Sequence, residues 1–333
     1  MTVGPSVAVF VAGAVVSLAT SWVLVTRLER VGERLGFSEA SLGMVAALAA
    51  DTPEITASIT AIAHHQQTVG AGVVLGSNVF NLAALLGLGA VVGGRIDLHR
   101  RVVVLGGTVA IVIGVACLLS VGGQVSAGVG LSVVLAALLG YVALLAAHRS
   151  ILARLRLPQT WSAWLNTAIV EEESELEEAI RPQRGTRRDA VTAVVALVVV
   201  LVASVAMEQG ASTLGTHFGI PQIVIGGLVL AAVTSLPNAV SAVYLAKRGR
   251  GAAALSTALN SNSLNVAAGL LIPAVVIGLA KPSSSGVLVA SWYVGLTALT
   301  LVLAYVGRGL GRVSGILIIV AYVGFVVALL ATT

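Results

Sequence analysis

Ten apolar stretches fill this chain, each near the ~20 residues that a helix needs to cross a bilayer, and only one long polar stretch separates them. Their approximate limits are 5–26, 39–62, 70–92, 102–121, 126–147, 190–208, 220–246, 252–279, 286–306 and 313–331. The interruption runs from His148 to Asp189 and divides the stretches five and five. The chain is 57% hydrophobic and 10% charged, with a mean hydropathy of +1.01. Soluble globular domains do not have that balance, so the fold class is all-α and the protein a polytopic membrane protein. The first stretch has no basic residue before it and is too long for a signal core, so it reads as a span rather than a cleaved leader. Cys117, the single cysteine, cannot form an internal disulfide and reads as a small buried hydrophobe.

Eighteen of the 19 Lys and Arg residues fall on one alternate set of loops, after stretches one, three, five, seven and nine; only Lys281 falls on the other. The positive-inside rule places those loops, and the 148–189 connection, in the cytoplasm and both termini outside. The basic balance is therefore a topology signal and not a nucleic-acid footprint. Five is an odd number, so the second set of five enters the membrane upside down relative to the first. The expected organisation is a first five-helix repeat at 1–147, a cytoplasmic loop at 148–189 and an inverted second repeat at 190–333, in the cell membrane.

An internal match supports the inversion independently. Residues 43–81 and 227–265 align at a constant offset of 184, with eight identities in 39 positions. Half of these are Pro, Ser or Asn: Pro53 with Pro237, Ser77 with Ser261, Asn78 with Asn262 and Asn81 with Asn265. Such residues are costly in lipid, and matched helix breakers in two halves point to a transport site.

Asp51, Glu54 and Glu208 are the three carboxylates within or at the edge of the spans. Intramembrane carboxylates imply function by default. Asp51 and Glu54 share a helix face, and Pro53 between them should break the helix and free carbonyl oxygens. Carboxylates with freed carbonyls suit a hard cation such as Ca2+ or Na+. The alternative, a buried acid paired with a base, lacks a Lys or Arg inside any span. Ser77, Asn78 and Asn81, and in the second half Asn260, Ser261, Asn262 and Asn265, offer neutral oxygen ligands; alternatively they only join packed helices. Glu208 reads as a solvated helix end or alternatively a coupling-ion site, His64 and His65 as a wet loop or alternatively a proton or metal site, and Gly70, Gly72, Gly76, Gly87 and Gly89 as points of close helix approach. The acidic run Glu171–Glu178 reads as a solvated helical face, since it lacks the alternation of a calcium loop.

These residues resemble the calcium/cation antiporter superfamily, the sodium/calcium exchanger-like membrane proteins. That family carries inverted repeats with a Gly-Thr-Ser-x-Pro-Glu element followed by a Gly-Ser-Asn-x-x-Asn element. Here the first repeat reads Ala49-Ala50-Asp51-Thr52-Pro53-Glu54, then Gly76-Ser77-Asn78-Val79-Phe80-Asn81. The second reads Val233-Thr234-Ser235-Leu236-Pro237-Asn238, then Asn260-Ser261-Asn262-Ser263-Leu264-Asn265. The resemblance implies a cation site built from Glu54, Asn78, Asn81, Thr234, Ser235, Ser261, Asn262 and Asn265, to which the residue pattern adds Ser77. It also implies alternating access, with segments one and six sliding past the other eight. Asp51 and Asn238 depart from the pattern: a carboxylate is gained in the first repeat and one is lost from the second.

The expected function is secondary antiport of inorganic cations, Ca2+ for Na+ or H+, with no cofactor and no catalytic residues. The rival readings are a monovalent cation/proton antiporter, an uncoupled channel, a cation-binding sensor of the same fold and, more remotely, an intramembrane hydrolase. The oligomeric state is left open.

Overall fold

The computed structural model describes residues 3–35, 45, 47–155, 158–179, 185–236, 238–239 and 252–333. It is almost wholly helical. Helix α1 spans Val3–Leu35. A short helical run at 47–50 turns at Asp51 into α2, Thr52–Ala63. Then come α3 (Gln67–Gly93), α4 (Arg100–Val121), α5 (Ala127–Leu155) and α6 (Gln159–Ala179). The second half holds α7 (Arg187–Phe218), α8 (Gln222–Thr234), α9 (Ala252–Leu264, continuing to Ile277), α10 (Ser284–Gly307) and α11 (Arg312–Thr332). Among the described residues, eight helices are long and apolar enough to cross a membrane, and α8 is a shorter apolar helix. The ten expected segments correspond to these nine and to the broken helix 47–63. The basic loop at 247–250 lies outside the described residues.

The helices sort by polarity in the reverse of a soluble protein. α3, which carries the first Asn pair, is 94% buried along its span, whereas α11 is 22% and α1 28% buried. The apolar helices face lipid, and the polar ones are enclosed because an unpaired amide in hydrocarbon costs several kcal/mol. Close approach at the centre requires glycine. A Cβ on Gly76 would overlap the carbonyl of Gly227 in α8, and one on Gly72 would lie 2.9 Å from the Gly227 nitrogen. Ser58 of α2 places its hydroxyl 2.8 Å from the carbonyls of both Gly70 and Gly269, tying α2 to α3 and α9.

Helices α1 and α7 form a separate close pair at the flank. Gly13 abuts Ala203 and Met207, Gly210 abuts Phe10 and Ser6, and the hydroxyls of Ser17 and Ser204 meet at 2.8 Å. At one end Thr186 and Asp189 form a capping box on α7, and Arg27 of α1 bonds Asp189 at 2.7 Å.

Loops expected on one side of the membrane do meet at one end of the bundle. Strand β1 (Arg95–Asp97) pairs antiparallel with β2 (Gly309–Gly311), matching Ile96 to Leu310. Arg101 bonds Glu171 of α6 at 2.9 Å, and Gly185 donates to the Arg30 carbonyl. The acidic run is helical, as expected, but it is not wholly solvated. Glu172 is 1% exposed and accepts a 2.8 Å bond from Tyr141 of α5. Burial holds its carboxyl above the usual carboxylate range, and the bond from Tyr141 pulls it partly back.

Candidate cation site

Pro53 explains the break in the first half. It has no N–H to continue the ladder, and the chain turns at Asp51 with φ −84° and ψ −1° before α2 begins. Ser235, 184 residues later, turns at φ −88° and ψ 1°. The repeat in sequence is thus a repeat in backbone.

The Asn-bearing helices α3 and α9 cross at the same level. Asn78 Nδ2 donates to the carbonyl of Asn262, and Asn262 Nδ2 donates to the carbonyl of Asn78, both at 3.0 Å. Asn81 donates to Asn262 Oδ1 at 3.1 Å, and its counterpart Asn265 donates to Asn78 Oδ1 at 3.3 Å. Each bond maps onto its mate by the 184 offset, which gives a local two-fold. Immediately beyond Asn81, and from Asn265 onward, both helices widen into π turns, Leu82–Leu88 and Asn265–Leu271. Such widenings recur at functional sites.

The carboxylates enter this lattice from the break in the first half. Asp51 Oδ1 accepts from Ser261 at 2.6 Å and from Asn238 at 3.2 Å. Asn238 Nδ2 also lies 3.4 Å from Asn81 Oδ1. Glu54 Oε1 accepts from Ser235 at 3.0 Å. Asp51 and Glu54 do not share partners as two residues on one regular helix face would: Asp51 sits on the turn and reaches α9, while Glu54 opens α2 and reaches the opposite break. Ser77 and Thr234 bond back to carbonyls of their own helices, keeping lone pairs but adding no link. Asp51, Glu54, Ser77, Asn78, Asn81, Thr234, Ser235 and Asn265 are fully buried; Ser261, Asn262 and Asn238 are 2%, 1% and 6% exposed.

Asp51 Oδ2, Glu54 Oε2 and Asn265 Oδ1 have no hydrogen-bond partner among the described residues. The ion pairs seen there involve Asp189, Asp97 and Glu171, so no described Lys or Arg pairs with Asp51 or Glu54. Buried carboxylates without a counter-charge are expensive. A hard cation passing through as cargo would supply both the charge and the missing partner to these oxygens. The described residues hold no cluster of three His, Cys, Asp or Glu side chains.

Glu208 is not the solvated helix end that its sequence position indicated. It is 1% exposed, lies 2.7 Å from Ser212 Oγ through Oε1 and has an unpartnered Oε2. Sequence alone concealed this because its shelter comes from the turn between α2 and α3.

An all-helical transporter built from two inverted halves around buried carboxylates and amides is the class that fold and site define. The sequence profile described as sodium/calcium exchanger protein matches residues 5–148 and 189–331. The chain belongs to that family. It is 28% identical over 159 residues to the protein designated antiporter CaxA of Alkalimonas amylolytica, a match that covers 46% of this chain and spans about half (49%) of that protein. It is 26% identical over 240 residues to the inner membrane protein YrbG of Escherichia coli, covering 71% of this chain and 69% of YrbG. The fold matches the solved sodium-calcium exchanger NCX_Mj with a TM-score of 0.62 at 20% identity, over 98% of this chain and 99% of that one.

Proposed function

We propose that this protein exchanges Ca2+ for Na+ or H+ across the membrane by alternating access, and that Glu54, Asp51, Asn78, Asn81, Ser77, Asn238, Thr234, Ser235, Ser261, Asn262 and Asn265 form the site. The observation that carries this is the pair of buried carboxylates with bare oxygens and no basic partner among the described residues, set in a two-fold lattice of amides. Two negative charges suffice for one Ca2+, and competing ions would use the same oxygens. An empty, charged site resists passage through a dry barrier, so occupancy licenses reorientation and produces exchange. The two five-helix halves would form the scaffold, with both termini outside and the loop 148–189 cytoplasmic, in the cell membrane. The names of CaxA and NCX_Mj, an antiporter and a sodium-calcium exchanger, support the reading.

The test is Ca2+ uptake by purified protein in liposomes, under an outward Na+ gradient and separately an outward H+ gradient. Uptake that collapses when one gradient is dissipated identifies the coupling ion. Glu54→Gln should abolish uptake and leave the elution profile unchanged. Folded protein that moves no Ca2+ under either gradient would refute the Ca2+ assignment. Monovalent cations would then be the substrate to measure, because Asn238 leaves the second break without a carboxylate.

A further inference from the structure

The carboxyl of Glu208 lies outside the Asp51–Glu54 lattice, on the part of α7 that faces the α2–α3 turn. Its Oε1 is 2.7 Å from Ser212 Oγ, and Ser212 Oγ is 2.8 Å from Oε1 of Gln66, the residue that caps α3. Both separations are ordinary O–H···O lengths.

The hydrogens do not balance if Glu208 is ionised. Ser212 has one hydroxyl hydrogen and two acceptor oxygens in front of it. Turning the Gln66 amide over would satisfy the serine, but would leave an ionised carboxylate buried with Oε2 bare. A proton on Glu208 resolves both problems: Glu208 donates to Ser212, Ser212 donates to Gln66, and the group becomes neutral.

Among the described residues no Lys or Arg forms an ion pair with Glu208. Residues 3–20 of α1 and all of α8 carry no titratable side chain. On α2 and the turn beyond it the titratable residues are Glu54, His64 and His65, and of these His64 is near enough to act on Glu208. On α7 itself they are Arg187, Arg188, Asp189 and His217.

We propose that Glu208, Ser212 and Gln66 form a proton-binding site separate from the cation lattice, and that the proton fastens the α1–α7 pair to the α2–α3 turn. Glu208 carboxylate plus one H+ from solution gives the carboxylic acid, bridged through Ser212 to Gln66; loss of that proton leaves a charge that must move toward water. The proton site stands apart from the transport reading, and only its effect on helix movement rests on it.

The direct test is infrared spectroscopy of the full-length protein in lipid nanodiscs. The difference between wild type and Glu208→Gln at neutral pH should show loss of one protonated-carboxyl carbonyl band. Ser212→Ala keeps the carboxyl but removes its acceptor, so the same band should shift to higher frequency. This second variant also serves if Glu208→Gln fails to fold. A difference spectrum holding only ionised-carboxylate bands, or a Ser212→Ala spectrum with no shift, would overturn the proposal. Neither readout depends on which cation the lattice carries.

Discussion

At the scale of single residues, the exchange of a carboxylate between the two breaks has a structural explanation. Asn238 donates to Asp51 Oδ1 at 3.2 Å, which a glutamate there could not do when ionised. A glutamate at 238 with aspartate at 51 would place like charges in contact, and one would have to take a proton or a cation. Asn238→Glu alone is therefore expected to lower Ca2+ flux at least tenfold at neutral pH. Asp51→Ser combined with Asn238→Glu should recover part of the loss, because the two sites share a bond and their effects do not add. Flux assays on the two singles and the double measure this, and a strictly additive double would refute the pairing. The paired Asn residues and Glu54 were legible in the sequence because polar residues recurring in apolar stretches are conspicuous. Glu208 was misread and Ser58 passed unnoticed. Each owes its environment to another element, the Gln66 side chain reached through Ser212 in one case and the Gly269 carbonyl in the other, which no local pattern encodes.

At the scale of elements, the ten segments followed from apolar length alone, and the breaks at Asp51 and Ser235 followed from Pro53 and Pro237. The π turns after Asn81 and from Asn265 did not, because they are set by packing between helices and not by residue type. Glycine spacing marked α3 for close approach, and the structure supplies its partner, Gly226–Gly227 of α8. Gly76→Ala should destabilise by about 1–3 kcal/mol through overpacking against that backbone, read as a lower melting temperature in detergent. Gly295→Ala, where the added methyl meets open space, should leave it unchanged. The docking of α6 should respond to pH through Glu172. Its folded-state carboxyl is raised above the ordinary value of 4.5 by burial. The docked form thus holds a proton more tightly than the released form, and docking is strongest in acid. It should weaken as pH rises from 4.5 toward the raised folded value. Proteolysis of the 158–179 segment across that range should quicken with pH in wild type and hold steady in Glu172→Gln.

At the scale of the whole molecule, the bundle divides into a buried core and one peripheral pair. α1 and α7 are bound to each other by glycine contacts, the Ser17–Ser204 bond and the Arg27–Asp189 ion pair. Their bond to the core at the α2–α3 turn runs through Ser212 and Gln66. Under the proposed cycle the pair moves as a unit past the core, so the two kinds of contact should respond oppositely to a covalent bond. Cysteines at Ser17 and Ser204, joined by a short thiol crosslinker, link helices that travel together, and exchange should persist. Cysteines at Gln66 and Ser212 link the pair to the core, and crosslinking should stop exchange until a reductant releases it. Each variant is compared with itself before crosslinking, so the loss of the Ser212 hydroxyl does not enter. The native Cys117 is fully buried and should contribute little background. If both crosslinks stop exchange, α1 and α7 slide along each other and the rigid-pair description fails; if neither does, the movement that carries the ion lies elsewhere in the bundle.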